Sequence, residues 1–179
     1  MNTPGKTVNQ HRRTNRHGFT LLELMIALAV FSLVMAGVVP GFIMCLKSWA
    51  LTSVQLEASE RASFALQRMI YGVGSQYGLR SACAASIVVT NSGLNWTVSY
   101  TDIVGNASSF SFVNTNQQIT YTGPDTTNAP GYSVVGKYIS FASVTNTASG
   151  LNIYVTAVVS NGVRYVATNA MSTFISYRN

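Results

Sequence analysis

The chain has 179 residues, of which 47% are hydrophobic and only 9% charged, and its formal net charge is +6 at pH 7. That length suits one modest domain, alone or joined to a membrane segment, and excludes a large multidomain enzyme. Both histidines, His11 and His17, fall in the first eighteen residues. The body of the chain therefore lacks the side chain most used as a general base or metal ligand near neutral pH, and a Ser/His/Asp triad cannot form there.

Residues 1–18 carry Lys6, Arg12, Arg13 and Arg16 without an acid, so +4 of the net charge belongs to this leader and the remaining seven bases and five acids leave +2. From Phe19 to Leu46 the sequence is strongly hydrophobic and Glu23 is its one charged residue. It exceeds the roughly 20 residues that cross a bilayer as a helix and the roughly 7 to 15 of a secretory signal core. A single spanning helix is predicted over 19–46. Basic residues are retained on the cytoplasmic side, so the N-terminus should stay inside and the rest be exported.

Glu23 is the informative residue of this segment. A carboxylate at the centre of a bilayer costs about 2.5 to 3.5 kcal/mol on insertion scales unless a partner compensates it. A cut between Gly18 and Phe19 would create an α-amino group four residues before Glu23, and a neighbouring subunit could offer its own amine to that carboxylate. Pro40, flanked by Gly37 and Gly41, removes one helix hydrogen bond and favours a kink.

The run Arg16-His17-Gly18-Phe19-Thr20-Leu21-Leu22-Glu23-Leu24 resembles the class III signal of type IV pilins and type II secretion pseudopilins. The resemblance implies that a prepilin peptidase cleaves after Gly18 and methylates the new amino group of Phe19. It also implies that Glu23 guides docking in a helical filament, and that Pro40 is the helix-breaking proline common in such segments. The implied partners are the peptidase, other pilin or pseudopilin subunits, an inner-membrane assembly platform and the lipid bilayer.

Beyond Leu46, Leu66, Met69, Ile70, Val73 and Tyr77 recur at spacings of three and four, with Ala58, Ala62 and Ala65 nearby. This amphipathic continuation, placed over 47–78, predicts a helix running to about Tyr71. Gly72, Gly74 and Gly78 each cost about 1 kcal/mol of helical propensity and favour a stop. Counted from Phe19, the helix would be roughly 80 Å long. Glu57 and Arg61 are spaced as a surface pair worth a few tenths of a kcal/mol. Residues Glu60 to Met69 look like the helix of minor pseudopilins of the J type and related minor pilins.

Over 79–179 the period changes to two. Seven strands are predicted: 86–90, 94–101, 109–113, 118–122, 137–142, 152–158 and 163–167. Turn signals separate them at Asn91-Ser92-Gly93, Gly123-Pro124-Asp125, Pro130-Gly131 and Asn161-Gly162, the last flanked by β-branched runs as in a tight hairpin. Trp96, Val98 and Tyr100 share one face and Phe110 and Phe112 another, as core positions of a sheet. The expected fold is α+β: a long N-terminal helix, membrane-spanning in its first half, and a C-terminal, mainly antiparallel, exported β domain.

Chemistry in that domain is sparse. Asp102 and Asp125, with Asn106, Asn114 and Asn116, could offer oxygens to calcium, which some relatives by resemblance bind, but the EF-hand spacing is missing. The same two carboxylates are a weak basis for glycoside hydrolysis. Cys45 and Cys83 make neither a disulfide framework nor a zinc site. There is neither a phosphate-binding glycine loop nor a Lys/Arg stripe for nucleic acid. The expectation is a non-enzymatic, cofactor-free minor subunit of a pilus or pseudopilus; the alternative is a membrane-anchored or filament-tip protein whose β domain serves adhesion or DNA uptake.

Overall fold

The computed structural model describes residues 18–74, 76–124, 134–162 and 165–177. The leader through His17, Asp125, and the Pro130-Gly131 turn lie outside the described residues. The chain divides into two compact units, Met1–Cys45 and Leu46–Asn179. A single helix, α1 (Leu21–Tyr71, 51 residues), contributes to both.

In the first unit every described residue is exposed. The side chains of Leu21 to Cys45 are almost wholly apolar, and this is the part of α1 whose length and composition suffice to cross a membrane. The Ser32 hydroxyl is turned back to donate to the Leu28 carbonyl at 2.8 Å, which hides its polarity within the helix.

In the second unit α1 buries Val54, Ala58, Ala62, Ala65, Leu66 and Met69. Alanines at these positions allow backbones to approach closely: a Cβ built on Gly136 would lie 2.9 Å from the Ala65 Cβ. Neither position has room for a larger side chain. The helix stops at Tyr71, the end that the sequence predicts. Gly72 has φ +112° and its amide donates to the Arg68 carbonyl at 2.9 Å, while a Cβ there would sit 1.8 Å from the Gln76 carbonyl oxygen. Only glycine satisfies both demands.

Two antiparallel sheets follow. The first has the order β1 (Val88–Ser92), β2 (Asn95–Thr101), β3 (Ala107–Val113), β4 (Gln118–Thr122), β5 (Val134–Lys137); the second has β6 (Ile139–Thr147), β7 (Gly150–Asn161), β8 (Tyr165–Ser176). The described strands thus number eight where seven were expected. The predicted strand 137–142 is broken at Tyr138, whose φ of +62° turns the chain from β5 into β6 of the other sheet. The last hairpin is where it was expected, but β8 continues nine residues past Ala167 to Ser176.

The aromatic faces are also corrected. Trp96 stands opposite Phe112 and Val98 opposite Phe110 in the β2–β3 register, and directly paired residues project to the same side of a sheet. All four, with Tyr100 and Tyr121, therefore form one buried face rather than two. The Trp96 indole donates to the Ala142 carbonyl at 2.8 Å, joining the two sheets inside the shared core. One face of each sheet and one side of α1 close this core.

Candidate maturation and assembly site

At the start of α1, Thr20 is the last non-helical residue and Glu23 the third helical one. The Thr20 amide and hydroxyl donate to Glu23 Oε2 at 3.1 and 3.2 Å, and the Glu23 amide donates back to Thr20 Oγ1 at 3.3 Å. This reciprocal pair is a capping box: two backbone donors left open by the helix geometry are satisfied by two side chains. The carboxylate also lies at the positive end of the helix dipole. The pattern Thr-x-x-Glu at residues 20–23 is the sequence signal for this role.

Both Thr20 bonds converge on Oε2, and Glu23 Oε1 makes no hydrogen bond among the described residues. Among the described residues the carboxylate thus has one oxygen engaged, by Thr20, and one without a hydrogen bond. Beside it, Phe19 is 87% exposed, and Phe19, Leu24, Ala27, Leu28 and Phe31 line a shallow apolar groove with Glu23 at its edge. Gly18 is not required by the fold: a Cβ at this position would meet nothing within 4 Å, and its backbone is outside the left-handed region. Pro40 lies inside α1, which continues through it; its ring nitrogen cannot donate to the Ala36 carbonyl four residues back.

The remaining sequence-named residues are scattered. Asp102 is buried, and its carboxylate accepts from the Val104 and Asn106 amides at 2.9 and 2.8 Å and from the Asn106 side chain at 3.3 Å. It holds the β2–β3 turn. Asn106 precedes β3, whereas Asn114 and Asn116 follow it, so the structure sets these groups at opposite ends of that strand. Among the described residues no three His, Cys, Asp or Glu side chains gather around one point. Cys45 and Cys83 are both free and exposed. Glu57 pairs with Arg61, whose guanidinium lies 4.3 Å above the Tyr138 ring.

The phenol of Tyr100 is buried and donates to the Tyr77 carbonyl at 2.8 Å. Burial first, then the neighbouring Tyr121 and Asp102, push its pKa far above the ordinary phenol value. This locks the connection after α1 to the five-stranded sheet and supplies no catalytic group.

The family profile described as the prokaryotic N-terminal methylation motif matches residues 13–39. The match takes in Gly18, Phe19 and Glu23 and ends one residue before Pro40. No curated protein and no solved structure matches the chain significantly. The motif, together with one long helix and an antiparallel β domain, supports a type IV pilin-like protein or pseudopilin that is a substrate of prepilin peptidase.

Proposed function

We propose that this chain is a non-enzymatic minor pilin or pseudopilin, inserted once in the inner membrane with its N-terminus cytoplasmic and its β domain exported. It is cut after Gly18, methylated on Phe19, and built into a type IV pilus or type II secretion pseudopilus through α1. The observation that carries this reading is the methylation motif over residues 13–39, which runs directly into a helix with no buried residue up to Trp49. The residues Glu60 to Met69 favour the J-type minor subunits within that class. The reading needs no cofactor.

The mechanism follows from the helix start. A cytoplasmic peptidase site demands the small residue at Gly18 that the fold itself does not. Cleavage leaves the Thr20–Glu23 box whole, so the helix remains capped. The open Glu23 oxygen then accepts from the terminal amine of an adjacent subunit, in surroundings where a low dielectric strengthens the attraction and makes an unpaired charge costly. The exposed apolar side chains of Leu21 to Leu46 exchange lipid for like helices.

The test is the N-terminal mass of the membrane-extracted protein from cells with and without a prepilin peptidase. A peptidase-dependent start at Phe19 with one added methyl is expected. A chain that keeps its leader in both strains is a plain anchor, and the proposal fails. Glu23→Ala should then insert and mature normally but be lost from the fibre fraction, and Glu23→Gln separates charge from shape.

A further inference from the structure

An open sheet ends in two edge strands, and among the described residues the four edges of the β domain, β1, β5, β6 and β8, are not alike. β1 and β5 are five and four residues long, and β5 carries Lys137 and pairs with β4 through a register shift at Ile119/Thr120. β6 is irregular between Ile139 and Phe141. Short length, a lysine and a bulge are common means of keeping a foreign strand off an edge. β8 has none of them. Its twelve residues, Tyr165 to Ser176, contain neither charge, proline nor glycine and pair with β7 without a register shift. They form about 40 Å of regular edge.

The free backbone groups of this edge can be named. The Tyr177 amide donates to the Ser149 carbonyl at 3.1 Å, one step beyond the Gly150 and Ser176 pair. Odd-numbered residues of β8 therefore bond to β7, while Val166, Thr168, Ala170, Ser172, Phe174 and Ser176 turn their amides and carbonyls away from it. None of these groups has a hydrogen-bond partner among the described residues, and all six residues are exposed. Water satisfies such groups one at a time, whereas a row in register is matched by an extended strand.

At its far end the edge borders a cavity of about 350 Å³, lined by Ile70, Tyr71, Arg80 and residues 173–176. Four consecutive residues of β8 line it, so it opens beside the strand rather than over one face. Arg80 is exposed, with its guanidinium 5.7 Å from the Tyr71 ring centre and 3.5 Å from the phenol oxygen. Tyr71 thus positions the cation without neutralising it, and Arg80 has no carboxylate partner among the described residues. Directly paired residues share a face of a sheet, so a strand laid along β8 would reach this cation from the place opposite buried Ile175. The chain does not supply such a strand itself, because no described strand contains Asp or Glu.

We propose that the free edge of β8 takes up an extended segment of a different protein as a fourth, antiparallel strand of the second sheet, with a carboxylate of that segment against Arg80. Antiparallel pairing agrees with both sheets and is the more stable of the two modes per residue. The backbone row supplies affinity and the cation supplies choice among strands. The inference goes beyond the proposed function and depends neither on cleavage at Gly18 nor on assembly through α1.

The experiment uses the full-length chain in detergent and a synthetic peptide of about eight residues that alternates threonine and valine, with aspartate second. When its first residue lies opposite Ser176, the aspartate lies opposite Ile175. In the free chain, amide exchange should be slow at the odd-numbered residues of β8 and fast at the even-numbered ones. The peptide should slow Ala170, Ser172 and Phe174 saturably and leave Val166, beyond its reach, fast. Asparagine in place of the aspartate, or Arg80→Gln, should weaken binding about fivefold. N-methylation of the third, fifth and seventh peptide amides, which face β8, should abolish binding with the protein unaltered. The proposal is overturned if the even-numbered amides are not slowed, if binding survives N-methylation, or if it ignores both charge changes. Slowing of the same amides without peptide, growing with protein concentration, would show a second copy on the edge and overturn it too.

Discussion

The two halves of α1 share a backbone and obey opposite rules. Leu21 to Cys45 buries no side chain, although nearly all of its side chains are apolar. From Leu46 to Tyr71 the composition is more polar, yet six residues are buried. Hydrophobicity alone therefore does not say where the core lies. The half that packs within its own chain uses small residues, Ala58, Ala62 and Ala65, that admit a sheet. The half with large residues all round has the pattern of a helix whose partners come from outside the chain.

The sharpest way to break this contrast is to remove an equal volume from each side of it. Phe110→Ala, in the centre of the five-stranded sheet and in contact with Tyr100 and Tyr121, should destabilise the β domain by about 3 to 5 kcal/mol. Phe31→Ala should leave it within about 0.5 kcal/mol. Denaturant midpoints of the detergent-solubilised chain check both, and a large loss from Phe31→Ala would mean that the first half belongs to the same cooperative unit.

A smaller effect is set by pH. Tyr100 has a raised phenol pKa in the folded chain, so above about pH 10 the unfolded state sheds this proton while the folded state keeps it. Its contribution is fully present below pH 10 and is lost as the pH rises beyond it, at up to about 1.4 kcal/mol per pH unit. Tyr100→Phe should flatten that part of the stability curve, although it also forfeits the bond to the Tyr77 carbonyl. An unchanged slope would deny the buried phenol its role.

Local events at the helix start come next. Thr20→Val removes the hydroxyl of the capping box and should cost about 0.5 to 2 kcal/mol of local helix stability, seen as faster amide exchange at Leu21 to Leu24 with the denaturant midpoint unmoved. The smallest change is expected from Glu57→Ala, which opens an exposed pair with Arg61 worth a few tenths of a kcal/mol.

Much of the fold was legible because the signals were local. The glycines after Tyr71 mark the helix end, and the Asn161-Gly162 turn marks the β7–β8 hairpin. The break at Tyr138 was not legible. No glycine or proline interrupts residues 137–142, and a tyrosine rarely adopts φ near +62°. It does so here where contacts from elsewhere hold it, with its carbonyl accepting from the Val158 amide at 2.9 Å and the next amide donating to Gln117 at 2.9 Å. The far end of β8 was hidden for a related reason. Its Ser, Thr and Asn content masks the alternation, and its pairing with Gly150 to Val155 is long-range. At the helix start, Gly18, Phe19 and Glu23 were readable as a motif, but which Glu23 oxygen is engaged and which is open is a matter of coordinates.

The two tryptophans sit in opposite settings. Trp96 is enclosed, with its indole nitrogen bonded to the Ala142 carbonyl, while Trp49 is open on α1. An indole in a dry setting emits at shorter wavelength than one in water, so the unmodified chain carries two optical reporters. The blue component of its emission follows the integrity of the β domain, and the red, quencher-accessible component follows the coverage of the helix. Acrylamide quenching of the same sample, free and in fibres, can therefore separate folding from assembly without a label.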